Sequence, residues 1–206
     1  MIIFTDDQQD ALREIANLAM GEAGVSLSKV LNVYVQLSIP LIHFVEFDQV
    51  IGVLTTLNSD LGPVISIVRL GFQGFLEGEA LLIYGPSALK TVTELLGNTS
   101  PEDTQEGMLL REISNILAAA CLNGIARRLS GDILITPPSM YSHRMPAVDS
   151  FDIMFGKHIL HWHETLITKI SFSIEQQNFQ CNLIVFLSER CIEKLRVRLD
   201  QILTEM

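Results

Sequence analysis

Apolar residues recur at helical spacing from Leu12 through Ile15, Leu18 and Ala19 to Val25, which predicts a long first helix. Thr5-x-x-Gln8 marks its start as a capping box, and the pattern runs to about Leu31. Gly21 and Gly24 inside it cost roughly 1 kcal/mol each relative to alanine, so another element is expected to pack closely there. Alternating and β-branched runs then predict strands at 33–39 and 41–47 on either side of Pro40, followed by 52–57, 64–72 and 80–84. A helix over 86–96 opens at Pro86-Ser87 and stops at Gly97-Asn98. A second long helix opens at Ser100-Pro101-Glu102-Asp103, with an N-cap, a first-turn proline and first-turn acids, and continues to Leu129 with Gly131 as its stop. Strands at 133–136, 151–155, 165–174 and 181–187 and a helix over 189–204 complete the pattern, an α+β fold on an antiparallel sheet.

The chain also repeats itself. At a shift of 98 residues, Leu12-Arg13-Glu14-Ile15-Ala16-Asn17 falls on Leu110-Arg111-Glu112-Ile113-Ser114-Asn115, with five of six positions identical, and Pro40 falls on Pro138. At a shift of 102, Leu81-Leu82-Ile83-Tyr84 falls on Leu183-Ile184-Val185-Phe186. Duplication explains both matches. It predicts a single domain of two pseudo-repeats, about 1–98 and 99–206, in which each half covers the other's sheet and the chain is a monomer.

Composition narrows the class. With 48% hydrophobic and 18% charged residues the chain can bury a substantial core, and it does not read as disordered. A formal net charge of −10 argues against nucleic acid or an anionic membrane as the main partner. The basic groups Arg127-Arg128 and Lys194-Arg196-Arg198 read as solvated helix ends. No basic leader or bilayer-length apolar run is evident, the longest apolar stretch being 116–122, so no membrane insertion is expected. Cys121, Cys181 and Cys191 are odd in number and lack metal spacing, which points to reduced thiols in a cytoplasmic protein.

Residues three apart on a helix share a side, so Glu14 and Asn17 pair a carboxylate with an amide, and Asp10 lies one turn earlier. Glu112 and Asn115 repeat the pair. The apolar stripes lie mainly on other positions, so both pairs are expected at the surface. One such pair would be ordinary solvated surface, but the same pair at the same place in both halves is not. This pattern resembles the CheC/CheX/FliY phosphatases of bacterial chemotaxis, in the two-copy CheC-like form, over essentially the whole chain. The family pattern Asp/Ser-x3-Glu-x2-Asn-x22-Pro is met by Asp10, Glu14, Asn17 and Pro40, and again by Glu112, Asn115 and Pro138. The departure is Met108, where the second copy lacks the Asp or Ser.

The resemblance implies a CheC-like fold with paired long helices bearing two sites, and hydrolysis of the phospho-aspartate of a CheY-like receiver. It assigns Asn17 and Asn115 to orienting the attacking water, which suits an amide that both donates and accepts. Glu14 and Glu112 are then groups that dock the receiver's lysine, since a solvated carboxylate is a poor general base at neutral pH. Asp10 supports docking, while Pro40 and Pro138 shape strand bends or edges. No cofactor is implied on this chain, Mg²⁺ being supplied by the receiver, and the receptor deamidase CheD is a second partner of such proteins. The alternative is a non-enzymatic binding module resembling the middle domain of the flagellar switch protein FliM, or a CheD/CheY adaptor. His158, His161, His163 and Glu164 invite a metal reading, but His161 and His163 would share one strand face while His158 points away, so no metal site is expected. Gly71-Phe72-Gln73-Gly74-Phe75 lacks the third glycine and following helix of a nucleotide loop.

Overall fold

Helix α1 (Asp6–Leu31) begins where Thr5 caps it: Thr5 Oγ1 accepts from the Gln8 amide at 3.2 Å while Gln8 Oε1 accepts from the Thr5 amide at 2.9 Å. The computed structural model describes residues 4–95, 103–155, 164–174 and 179–205. After α1 come β1 (Val35–Leu37), β2 (Leu41–Glu46), α2 (Val50–Leu57), β3 (Val64–Gly74), β4 (Gly78–Tyr84) and α3 (Ala88–Leu95). Then follow α4 (Asp103–Arg128), β5 (Ile133–Ile135), β6 (Ser139–Pro146), α5 (Ala147–Phe155), β7 (Glu164–Ile174), β8 (Gln180–Leu187) and α6 (Glu189–Glu205). The order helix, strand, strand, helix, strand, strand, helix thus occurs twice. The expected stop at Gly97-Asn98, the cap at Ser100-Pro101-Glu102 and the histidines 158, 161 and 163 lie outside the described residues.

All strand pairs are antiparallel, in the order β1–β7–β8–β4–β3–β5, with β2 also on β7 and β6 also on β3. β1 and β2 lie end to end along β7, Val35 facing Ile174 and Leu41 facing Lys169. β5 and β6 lie end to end along β3 in the same way, Phe72 facing Ile135 and Arg69 facing Ser139. Each half therefore sends its first two strands to the other half's sheet edge. Helices cover both faces. Leu12, Ile15 and Ala19 of α1, Leu110, Leu117 and Cys121 of α4, and apolar residues of α3 and α6 share one core with Leu82, Tyr84, Leu183 and Val185. Val50 and Leu54 of α2 and Phe151 and Met154 of α5 share the other with Leu81, Ile83, Ile184 and Phe186.

Two predicted strands are helices. Residues 52–57 belong to α2 and 151–155 to α5. Their Val, Ile, Thr and Phe content suggests strand, but the buried residues are Val50 and Leu54 in one and Ser150, Phe151, Met154 and Phe155 in the other, at three- and four-residue spacing. β6, polar over most of its length, has no counterpart among the predicted strands. The shift of 102 also fails on facing, since it sets Leu81 of one core on Leu183 of the other. A shift of 103 sets Ala88, Leu89 and Val92 on Cys191, Ile192 and Leu195, all in the same core. Because the strand period is two, a one-residue slip reverses every side chain.

The long helices meet closely. A Cβ on Gly124 of α4 would lie 2.9 Å from Ala19 Cβ and 3.1 Å from Ala19 Cα, so only glycine permits this approach. Glu22 of α1 then takes Arg127 at 2.6 Å and Arg128 at 2.9 Å, so these arginines clamp two helices and are not a solvated end. Arg198 of α6 donates to Leu129 O at 2.9 Å and Ser130 Oγ at 2.6 Å, closing the α4 terminus. That terminus turns at Ser130 (φ 58°), as α1 turns at Asn32 (φ 53°), so the left-handed residue is Ser130 and not the expected Gly131. Gly131 is needed for space, a Cβ there lying 2.4 Å from Phe75 Cβ. Of the glycines in α1, Gly24 packs on Leu37, but Gly21 faces open space. Over Glu106–Arg128 α4 is also long and apolar enough to cross a bilayer, and half of that stretch is buried in this fold.

Gly21→Ala is expected to stabilise the chain by about 1 kcal/mol, as a helical glycine with room for a methyl. Gly124→Ala is expected to destabilise it by roughly 1–3 kcal/mol through overpacking. Chemical denaturation of the two variants checks both signs. Bonding to Arg128, opposed in part by burial, lowers the Glu22 carboxyl below its usual 4.5. A lowered folded value adds stability above the unfolded value that is lost as pH falls through the folded one. Glu22→Gln is thus expected to be less stable than wild type at pH 7 and to converge with it below pH 4.5, as urea titrations at the two pH values would show.

Candidate functional site: two helix-borne carboxylate and amide pairs

The 22-residue gap between each asparagine and its proline has a geometric meaning. From Asn115 the chain descends 14 residues to Leu129, ~21 Å at 1.5 Å per residue. It returns extended from Asp132 to Pro138, ~20 Å at ~3.3 Å per residue. Descent and return match, so Pro138 comes back level with Asn115. An open groove of about 420 Å³ results, lined by Met108, Arg111, Glu112 and Asn115 from α4 and by Ile135, Thr136, Pro137 and Pro138 from the returning chain. Asn17 and Pro40 have the same spacing on α1 and the β1–β2 junction.

Each proline occupies the break between two end-to-end strands, where an amide donor is not required. A hydroxyl two residues earlier repairs the ladder. Ser38 donates its amide to Ser171 O and accepts from the Ser171 amide on Oγ, each at 3.1 Å. Thr136 donates its amide to Gly71 O at 2.9 Å and accepts from the Gly71 amide on Oγ1 at 2.8 Å. These splicing hydroxyls fall 98 residues apart, and the Ser/Thr-x-Pro pattern common to both junctions is the signal that would have found them.

Asp10, Glu14, Asn17, Glu112 and Asn115 are all exposed. Asp10 is held by Arg13 at 2.7 Å, one turn along α1. Leu18 (48% exposed) and Val25 (55%), expected in the apolar side of α1, are instead exposed, Leu18 next to Asn17 and Val25 two turns further along the helix. Behind the second pair, Ser114 is fully buried and shares a 2.8 Å hydrogen bond with Tyr84 of β4, tying α4 to the sheet between Glu112 and Asn115. Burial holds the Tyr84 phenol well above its ordinary value, so it stays protonated. Burial likewise pushes the Cys121 thiol up to about 12 and the Cys181 thiol higher still, so neither supplies a thiolate nucleophile at neutral pH.

Known proteins are similar to this chain in sequence and in fold. The chain is 26% identical over 205 residues to the CheY-P phosphatase CheC of Bacillus subtilis strain 168, covering 94% of each. The likeness is to members of the CheC/CheX/FliY family, in sequence to a CheC and in fold to a FliY and a CheX. Thermotoga maritima FliY superposes with a TM-score of 0.71 at 17% identity, over 97% of this chain and 99% of that one. Borrelia burgdorferi CheX, in its complex with CheY, BeF3 and Mg²⁺, superposes with a TM-score of 0.50 at 16% identity, over 84% and 97%. FliM middle domains share the fold as well. No protein-family model matches the chain. The chain thus has the expected α+β layout, matching that of its FliY neighbour, with both long helices on one face of the sheet.

Tyr84→Phe and Ser114→Ala are each expected to cost about 1–2 kcal/mol, because each leaves a buried hydroxyl without its partner. Their double variant is expected to cost less than the sum by on the order of 1 kcal/mol. A double-mutant cycle by denaturant unfolding measures that coupling.

Proposed function

We propose that this chain is a phosphatase for the aspartyl-phosphate of a CheY-like response regulator, acting at two sites. The observation that carries the reading is the pair of exposed carboxylate and amide couples, Glu14/Asn17 and Glu112/Asn115, set 98 residues apart on two rigid helices. Kinship with a CheY-P phosphatase supports it. On the same reading the chain is one domain of two repeats, about 1–98 and 99–206.

An acyl phosphate is already reactive, and what it lacks is a water held in line with the scissile bond. Asn17 or Asn115 accepts a hydrogen bond from that water on its amide oxygen and so aims the water's oxygen at phosphorus. The water oxygen bonds to phosphorus, the bond from phosphorus to the aspartyl oxygen breaks, and inorganic phosphate and a free carboxylate leave. Glu14 and Glu112 pair with the receiver's lysine, and Mg²⁺ belongs to the receiver. Leu18 supplies apolar contact beside the first pair, which suits a protein surface as the substrate. Asp10, tied to Arg13, supports the first pair from its own helix.

A second reading, a non-enzymatic module of the flagellar switch, draws on the shared fold of FliM middle domains. The decay of a phosphorylated CheY-like receiver separates the two. Wild type is expected to speed it, Asn17→Ala and Asn115→Ala each to retain part of the effect, and the double variant to lose on the order of 10²-fold. Full acceleration by the double variant would refute the water-positioning role. Binding without acceleration by wild type would establish the adaptor reading.

A further inference from the structure

The two copies differ in what their shared arginine does. In α1, Arg13 folds back on its own helix, Nη1 meeting Asp10 Oδ1 at 2.7 Å and Nη2 reaching Gln9 Oε1 at 3.5 Å. Ninety-eight residues on, Gln9 and Asp10 are replaced by Gly107 and Met108, so both side-chain acceptors are gone at once. Among the described residues Arg111 forms no ion pair. Its Nε donates to Gly107 O at 3.2 Å, which anchors the stem and leaves the terminal nitrogens for another molecule. Arg111 lines the groove together with Glu112, Asn115 and Pro138.

We propose that Arg111 is an oxyanion-docking residue of the second groove, taking an oxyanion of the phosphorylated receiver that Arg13 at the first site does not take. This rests on the reading of the chain as a receiver phosphatase. A guanidinium presents a planar fork that fits a phosphoryl group or a carboxylate with two parallel bonds. On a chain of net charge −10, an arginine without an internal counter-charge also offsets repulsion where an anionic partner must approach. The Met108 departure therefore changes the second site's chemistry and does not merely remove a docking group. The oxyanion comes either from the phosphoryl group or from carboxylates beside it on the receiver.

The test uses the full chain with the first site disabled by Glu14→Ala and Asn17→Ala, titrated with a CheY-like receiver and Mg²⁺, with and without beryllofluoride, at low and high salt. Arg111→Gln is expected to weaken binding roughly tenfold and to flatten its salt dependence. Met108→Asp is expected to do the same while keeping the arginine, because it rebuilds the internal pair seen at Asp10 and Arg13. Arg13→Gln, in a chain disabled at Glu112 and Asn115, is expected to change affinity by less than about twofold. A loss confined to the beryllofluoride-loaded receiver assigns the phosphoryl group, and an equal loss without it assigns the carboxylates. Unchanged affinity and salt dependence in folded Arg111→Gln overturns the proposal, and so does an equal effect of Arg13→Gln. Hydrolysis indifferent to Arg111 removes the docking role alone, whereas Arg111-dependent binding without hydrolysis removes the phosphatase reading alone. Absence of binding to every receiver tried removes both.

Discussion

The sheet closes only because each half of the chain gives its first two strands to the other. β1 and β2 find their hydrogen-bonding partner in β7, and β5 and β6 find theirs in β3. The breaks between those end-to-end strands hold Pro40 and Pro138, and Ser38 and Thr136 carry the ladder across them. The returning segments in turn stand beside the long helices. Were β5 and β6 one continuous strand, the proline would sit mid-ladder without an amide to donate. The groove wall is a consequence of how the sheet edge is spliced.

The helices present their polar pairs from a stiff base. Gly124 lets α4 reach Ala19 of α1 at backbone distance, and the Glu22 clamp with Arg127 and Arg128 closes one end of that contact. Tyr84 reaches up from β4 to Ser114, which lies between the exposed Glu112 and Asn115 in sequence and beneath them in the fold. The amide of Asn115 is thus carried on backbone anchored from below, the support that the proposed water-positioning role calls for. The first helix has Ala16 at the matching position and is held there by apolar packing alone among the described contacts.

Much of this was readable in the sequence, for reasons that differ by residue. Glu14, Asn17, Glu112 and Asn115 stood out because the chain writes them twice at one spacing, and their exposure followed from Leu12, Ile15, Leu110 and Ile113 taking the buried side. The cap at Thr5 and Gln8 was local chemistry and needed nothing distant. Helices α2 and α5 were mistaken for strands because β-branched composition outweighed a spacing that only two turns can display. β6 was missed because its pairing to β3 is irregular, with register shifts between Ile65 and Val68, so its alternation is broken. Leu18 and Val25 looked like core because periodicity registers an apolar stripe without telling which stripe is covered. The clamp at Glu22 and the tie from Arg198 to Ser130 join residues more than 60 apart, beyond any local pattern.

The exchange of edge strands also bears on how the molecule comes into being on the ribosome. When the first hundred residues have emerged, β1 and β2 still wait for β7, which begins at Glu164. Those two strands stay without their ladder partner during that interval, as long-range β pairing requires. The first groove's returning wall thus waits for β7, whereas everything that lines the second groove, together with its edge partner β3, precedes β7 in the chain.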